Sequence, residues 1–224
     1  MRAEKRLLGI MGGTFDPVHY GHLRTALEFQ QLLALDEVRL IPSAEPPHRP
    51  QPHADSAARL AMLQSAVENV AFLKVDEREL LRGGTSYTVD TLRSIRAEIS
   101  DQDSVCMLLG SDAFCNLKKW HQWEHILALC NLVVATRPGY DWAESETVMA
   151  DYSDCVASEP AMLAENPAGK ILITQFTQLD ISATEIRRLL AAGLSPQFLM
   201  PREVVNCINT QGLYREQAGE ESIA

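Results

Sequence analysis

Short apolar runs alternate along the chain with longer segments in which apolar residues recur every three or four positions. The short runs suit strands of a buried parallel sheet, and the longer segments suit amphipathic helices. The six predicted strands are residues 6–12, 37–42, 71–75, 104–110, 131–136 and 170–174. This alternation predicts an α/β fold with a doubly wound, mainly parallel sheet, helices on both faces and a small helical segment near the C-terminus.

Polar residues and glycines follow several of the predicted strands. In an open parallel sheet the carboxyl ends of the strands share one edge, and ligands bind beyond that edge. Residues 14–22 follow the first strand, 43–49 the second, 111–112 the fourth and Arg137 the fifth. One crevice is therefore expected to collect these segments.

The segment after the first strand reads GGTFDPVHYGH from Gly12 to His22 and leads directly into a helical pattern. The order of strand, glycine turn and helix predicts a phosphate site. Glycines let the backbone approach a ligand closely, and the first N–H groups of a helix have no partners within it. His19 and His22, three residues apart, fall on one face of the first helical turn and can point at the same oxygen atoms.

Other interpretations of this segment are weaker. The turn contains no G-x-G-x-x-G and no G-K-[ST] follows it, so neither the dinucleotide pattern nor the Walker pattern applies. The two histidines could bind a metal or be solvated, but there is no H-E-x-x-H frame and no nearby cysteine cluster to complete a metal site. No metal ligand is therefore assigned.

Two distant motifs carry a family resemblance. GGTFDPVHYGH resembles the signature of the nucleotidylyltransferase superfamily, and ISATEIR at 181–187 resembles the segment that holds ATP phosphates in those enzymes. Residues 46–48, 86–92 and 109–114, with Trp120 and Trp123, are similar to the bacterial nicotinate-nucleotide adenylyltransferase branch. The resemblance extends over about residues 7–214 and implies a Rossmann-like fold.

The resemblance also implies a reaction and its substrates. The adenylyl group of ATP passes to nicotinate mononucleotide, which gives nicotinic acid adenine dinucleotide and pyrophosphate in NAD biosynthesis, with Mg²⁺ as the cofactor. Because the mononucleotide phosphate attacks the α-phosphate of ATP in line, such a protein must mainly position anions and stabilise developing charge. No covalent protein residue is required.

The motifs imply roles for particular residues. His19 and His22 are the implied catalytic pair, which donates hydrogen bonds to phosphate oxygens in the transition state. The implied ATP-binding residues are Gly12, Gly13, Thr14, Phe15, Gly21, His22, Gly110, Asp112, Ile181, Ser182, Thr184 and Arg187. The implied residues for nicotinate mononucleotide are His48, Arg49, Tyr87, Thr88, Trp120 and His121.

Several of these residues have structural interpretations as well. Ser182 with Glu185 forms an S-x-x-E capping box, which is compatible with phosphate binding, whereas the neighbouring Arg188 is expected to be solvated. Asp112 could be a helix N-cap instead of a ribose contact. Two tryptophans at helical spacing often belong to a core.

Two loop regions are open to more than one interpretation. Asp16 is expected to tie down its own turn ahead of Pro17. The proline-bracketed loop 46–52 either closes on substrate phosphates or is a plain linker. The resembled family usually has lysine in place of Arg49. Both side chains are positively charged, but arginine can bind a phosphate through two hydrogen bonds at once. Arg59 is left out of the catalytic set as a structural residue.

Composition narrows the class of protein. Thirty acidic and 20 basic residues give a net charge of −10, which argues against a nucleic-acid binder that relies on bulk positive charge. Residues 138–169 hold seven acidic residues and no lysine or arginine, and residues 140–167 are expected to form a peripheral excursion before the last strand. Residues 1–215 are expected to form a single domain, followed by a flexible tail at 216–224.

The cysteines and the N-terminus bear on location. Five cysteines without a C-x-x-C pair indicate reduced thiols that serve in packing. The apolar run before Gly12 is too short for a signal peptide or a membrane span, so a cytoplasmic protein without a membrane partner is expected.

Other functions stay open at this point. The chain could prefer nicotinamide mononucleotide, or be a different adenylyltransferase such as a pantetheine-phosphate adenylyltransferase, whose signature typically has threonine in place of His19. It could also be a non-catalytic nucleotide-binding module. A homo-oligomer is equally open.

Overall fold

Six parallel strands form one sheet in the order β3-β2-β1-β4-β5-β6 in the computed structural model, which describes residues 5–47, 50–136, 150–177 and 179–215. The strands are β1 (Leu7–Gly13), β2 (Glu37–Pro42), β3 (Leu73–Val75), β4 (Ser104–Gly110), β5 (Asn131–Thr136) and β6 (Ile171–Gln175). The predicted doubly wound, Rossmann-like fold is confirmed. The strand order reverses between β1 and β4, where doubly wound proteins bind ligands.

Nine α-helices lie within the described ranges. They are α1 (Tyr20–Leu33), α2 (Ser56–Val67), α3 (Arg78–Arg82), α4 (Thr88–Arg96), α5 (Ser111–Cys115), α6 (Ile126–Leu129), α7 (Ala161–Glu165), α8 (Ala183–Ala191) and α9 (Arg202–Gln211). The last two form the predicted C-terminal helical segment. None of the helices in this part of the chain is long and apolar enough to cross a bilayer.

Alternate strand residues pack on opposite faces of the sheet and build two cores. In β4, Leu108 belongs to the core under α1, α2, α8 and α9, whereas Met107 belongs to the core under α4, α5 and α6. Phe29 of α1 and Leu92 of α4 are completely buried in these two cores. Burying a side chain of this size stabilises the fold by roughly 1.5–3 kcal/mol. Because helices cover both faces of the sheet, side chains on both faces of each strand are buried, which explains the continuous apolar runs.

The acidic stretch before β6 is not a peripheral excursion in its described part. Leu163 is fully buried, and its carbonyl accepts hydrogen bonds from Ser104 Oγ at 2.7 Å and Asn131 Nδ2 at 3.2 Å. The prediction is wrong there because exposed carboxylates such as Asp154 and Glu159 alternate with buried apolar residues. Residues 137–149, including Arg137, and the predicted tail 216–224 lie outside the described residues.

All five cysteines are free thiols. Cys106 and Cys130 are buried in the two cores, as the packing interpretation predicts.

Candidate active site

A cleft opens at the carboxyl ends of β1, β2 and β4, as the sequence predicts. It contains a cavity of about 610 Å³, and a second cavity of about 540 Å³ adjoins it through shared lining residues such as Thr88 and Trp120. Both volumes are of the size that small-molecule sites have. The larger cavity reaches from the end of β1 to the start of α8, whereas the smaller lies beside α4 and α5.

The two glycines that begin the signature segment end strand β1 and do not form a turn, so the predicted glycine turn is misplaced. The left-handed backbone lies at Phe15 instead, with φ at 50°. This conformation costs a non-glycine residue roughly 1–2 kcal/mol, and such strain clusters at functional sites. A Cβ at Gly13 would come within 3.1 Å of the buried Phe15 ring, whereas Gly12 borders open space in the cleft.

His19 and His22 stack against each other at the start of α1, with 3.8 Å between their ring centroids. They lie on one face of the first turn, as their spacing predicts. Gly21 permits this packing, because a Cβ there would lie 2.9 Å from the His19 ring. The His19 backbone N–H donates to Nδ1 of His22 at 3.3 Å, which leaves the proton of a neutral His22 ring on Nε2.

His19 is only 6% exposed, and its Nδ1 atom is buried without a hydrogen-bond partner. Burial lowers the pKa of His19 to about 4, so the ring is neutral at pH 7. Orphaned buried polar atoms are rare in folded proteins and call for a partner. Unlike His22, His19 lines neither of the two cavities.

The buried His19 makes the stability of the fold depend on pH. The folded pKa of about 4 lies below the unfolded value of 6.5, so the unfolded chain binds the proton first as the pH falls. The stability that neutral His19 contributes is complete above pH 6.5 and is lost as the pH falls toward 4. At about 1.4 kcal/mol per pKa unit, the expected loss by pH 4.5 is roughly 2–3 kcal/mol.

Urea denaturation at pH 7 and pH 4.5 measures this loss when the chain is compared with the His19→Gln variant. Carboxylates titrate in both proteins, so the difference between their pH profiles isolates the imidazole. Parallel profiles would contradict the buried neutral His19.

Helix α1 offers fewer backbone donors to an anion than the sequence suggests. The N–H of Tyr20, its first residue, donates to the carbonyl of Leu199 at 3.0 Å. This donor is therefore used within the protein. The imidazole of His22, which lines the larger cavity, consequently becomes the more important donor at this side of the cleft.

The start of α8 borders the larger cavity through Thr184 and Arg187. Arg187 Nη1 donates to the Asp16 carbonyl at 2.6 Å, and Nη2 to Thr184 Oγ1 at 3.3 Å. Both side chains were implied by the family motif. Ala183, where the family often has a second serine, also lines the cavity, whereas Ile181 and Ser182 lie just before the lining residues.

The predicted capping box at α8 is only half formed. Ser182 Oγ accepts the N–H of Glu185 at 3.2 Å. The Glu185 carboxylate pairs with Arg188 at 2.7 and 2.8 Å and not with the Ser182 backbone, and this hydrogen bonding lowers the pKa of Glu185. Arg188 is exposed, as expected, but it is paired with a carboxylate.

The second cavity gathers the aromatic residues that were assigned to the mononucleotide. The rings of Tyr87 and His121 lie 4.3 Å apart, and Trp120 lines both cavities. Trp120 also packs against the second core, so its structural and ligand-binding interpretations are compatible. Trp123, by contrast, packs edge-on against Tyr152 with 6.5 Å between centroids and lies away from both cavities.

Asp112 lines the second cavity and not the larger one, which places it with the mononucleotide residues. The N-cap of α5 is Gly110, so the N-cap alternative for Asp112 is wrong. Gly110 itself lines the larger cavity. His48 and Arg49 lie outside the described residues.

Polar side chains that were not among the assigned site residues also line the larger cavity, and three of them are Ser43, Glu79 and Ser86. Ser43 follows β2 and is buried, with an Oγ atom that has no partner. Glu79 is buried and accepts a hydrogen bond from Thr91 Oγ1 at 2.6 Å. Ser86 Oγ accepts the N–H of Ala44 at 2.9 Å. The position of Ser43 at a strand end was a usable signal, whereas Glu79 sits in a five-residue helix without any motif.

Arg59 supports the site without lining it. The residue is 1% exposed, and its Nη1 donates to the carbonyl of Thr14 at 2.8 Å. Burial lowers the pKa of this guanidinium. The structural interpretation of Arg59 therefore agrees with its position.

The described residues contain no cluster of three or more histidine, cysteine or acidic side chains that could hold a metal ion. Imidazole, guanidinium and hydroxyl groups instead line the larger cavity around His22, Arg187 and Thr184. This donor set suits a polyanion.

Comparisons with known proteins agree with this geometry. Residues 10–189 match the cytidylyltransferase-like family. A protein of Pseudomonas syringae pv. tomato named "Probable nicotinate-nucleotide adenylyltransferase" is 50% identical over 215 residues, which cover 96% of each chain. A Pseudomonas aeruginosa protein of the same name is 48% identical over 208 residues, which cover 93% of this chain and 97% of the relative.

A solved structure shares the fold at low sequence identity. Plasmodium falciparum nicotinic acid mononucleotide adenylyltransferase, complexed with NaAD, is 19% identical with a TM-score of 0.68 and covers 93% of this chain and 97% of its own. The family match spans most of the chain, and the bacterial relatives match nearly end to end. The chain therefore belongs to the cytidylyltransferase-like family and, within it, to the nicotinate-nucleotide adenylyltransferases.

Proposed function

We propose that this protein transfers the adenylyl group of ATP to nicotinate mononucleotide and releases pyrophosphate. The observation that carries the proposal is the adjacency of two unlike cavities. One is lined by His22, Thr184 and Arg187, which suit phosphates, and the other by Tyr87 and His121, among other aromatic residues, which suit a pyridine ring. A phosphate group of the second substrate can thus meet the triphosphate where the cavities join.

One bond forms and one bond breaks at the α-phosphorus of ATP. A phosphate oxygen of the mononucleotide attacks the α-phosphorus of ATP, and the bond to the β-phosphate oxygen breaks as pyrophosphate leaves. His22 donates from Nε2 to an oxygen on which charge develops, and we assign the same role to neutral His19 by motif position. Arg187 adds a permanent positive charge, and its hydrogen bond to the Asp16 carbonyl holds it in place.

The residues of the smaller cavity suit a pyridine ring that carries a carboxylate group. The aromatic faces of Tyr87, Trp120 and His121 offer stacking surfaces. Thr88 is the first residue of the nine-residue helix α4, whose N-terminal N–H groups and dipole favour a carboxylate over an amide. Asp112 is placed to accept hydrogen bonds from the ribose of the mononucleotide, and we assign His48 and Arg49 to its phosphate by motif position.

Nucleotidyltransferases generally use a divalent metal with ATP. Mg²⁺ is the proposed ion, and it arrives as part of the Mg–ATP substrate because phosphate oxygens and water supply most of its ligands.

The free thiols of all five cysteines support a reducing, cytoplasmic setting.

Label transfer from ATP tests the proposed reaction. With nicotinate mononucleotide as acceptor, label in the α-phosphate should appear in a dinucleotide, and label in the γ-phosphate should appear in pyrophosphate. ATP binding without product from this acceptor, its amide or phosphopantetheine would support the non-catalytic module instead. Product from phosphopantetheine alone would reassign the chain within the superfamily.

A further inference from the structure

The carboxylate of Asp16 joins segments that are distant in the sequence. Its side chain is 5% exposed. Oδ2 accepts the backbone N–H of His53 at 2.8 Å, and Oδ1 accepts the N–H of Ala54 at 3.1 Å and the hydroxyl of Tyr214 at 2.7 Å. The prediction that Asp16 ties down its own turn is therefore wrong, because these three partners lie 37, 38 and 198 residues away.

Asp16 also orients the cationic side chain of Arg187. The Asp16 carbonyl accepts the 2.6 Å hydrogen bond from Arg187, whose Nη1 lies 3.8 Å from the Asp16 carboxylate. One residue of the signature segment thus contacts both residues 53–54 and Arg187 of α8. His53 and Arg187 each line the larger cavity.

Tyr214 makes this contact from just beyond α9. Burial, and then the hydrogen bond to Asp16, raise the pKa of Tyr214, so its hydroxyl stays protonated and keeps donating. Arg59 holds the same segment through a hydrogen bond that it donates to the carbonyl of Thr14 at 2.8 Å. Four separate parts of the chain therefore converge on residues 14–16.

We propose that Asp16 is a positioning residue for ATP and that Tyr214 locks it in place. The proposal rests on the proposed adenylyl transfer in so far as it assigns the larger cavity, which His53 and Arg187 line, to the phosphates of ATP. Without the Tyr214 hydroxyl, the N–H groups of His53 and Ala54 are held less firmly. His53 and Arg187 then lose their fixed positions relative to His22, and in-line alignment suffers.

The Tyr214→Phe variant tests the lock, because it removes one hydroxyl and keeps the ring. We expect kcat to fall about tenfold and KM for ATP to rise several-fold, with KM for nicotinate mononucleotide changing less. Tyr152→Phe is the matched control, since Tyr152 is a buried tyrosine that belongs to the core on the other face of the sheet. Its kinetic constants should stay close to those of the unmodified chain.

Amide hydrogen exchange supplies a readout that does not depend on activity. Exchange in a peptide that contains the amides of His53 and Ala54 should accelerate in Tyr214→Phe and in Asp16→Asn, but not in Tyr152→Phe. Unchanged kinetics and unchanged exchange in Tyr214→Phe would overturn the inference, as would a loss of thermal stability alone. If the unmodified chain forms no dinucleotide, the proposed function fails, and exchange at these two amides still decides whether the lock exists.

Discussion

Replacing His22 with alanine should lower kcat about 100- to 1000-fold and weaken ATP binding only a few-fold. His22 is stacked on His19, and a neutral His22 ring carries its proton on the nitrogen that is not bonded to the His19 backbone. Such a donor gains strength as negative charge develops on the phosphate oxygens, so it acts mainly in the transition state. Steady-state kinetics and ATP titration by calorimetry measure the two quantities separately.

His125→Ala is the matched control for this substitution. His125 is exposed and ends the short 3₁₀ helix Trp123–His125, away from both cavities. Its replacement should leave kcat and ATP affinity unchanged. Equal losses of turnover and ATP affinity in His22→Ala would show that His22 serves ground-state binding, contrary to the proposed chemistry.

Replacing Arg187 with alanine should raise KM for ATP about 10- to 100-fold and lower kcat/KM at least as much. The guanidinium is oriented by its bonds to the Asp16 carbonyl and Thr184 Oγ1 before any ligand arrives. An oriented, partly desolvated cation binds phosphate more strongly than a solvated one does. Kinetics with ATP varied at saturating mononucleotide provide the measurement.

The adjacent Arg188 is an unusually close control. It occupies the next position of the same helix, is exposed, and pairs with Glu185. Arg188→Ala removes an equal charge, yet it should change KM for ATP by no more than about twofold. Similar effects of the two substitutions would show that bulk positive charge attracts ATP and that the position of Arg187 is unimportant.

Much of the fold could be predicted because strand boundaries coincide with abrupt changes in polarity. β2, β4 and β5 have the predicted limits, since each apolar run is flanked by polar or turn residues. β1 continues to Gly13 because its glycines pair with Ile41 and Pro42 of β2, although glycine is usually associated with turns. Leu163 was missed because acidic neighbours conceal a single buried leucine.

Within the site, local features were predictable and long-range partners were not. The spacing of His19 and His22 places both on one helical face, so their stacking follows from the sequence. The partner of Asp16 at Tyr214 lies 198 residues away, and no local pattern encodes that contact. Asp112 was assigned to ATP but lines the smaller cavity, and no local pattern encodes which cavity it borders.

The most direct test of the central proposal is a comparison of kcat/KM for nicotinate mononucleotide and nicotinamide mononucleotide with Mg–ATP. The smaller cavity places the N-terminus of α4 and Thr88 beside the aromatic side chains, so we expect the acid to be preferred at least about 100-fold. Equal use of the two acceptors would contradict the proposed carboxylate recognition. Pyrophosphate release with neither acceptor would contradict the proposed reaction itself.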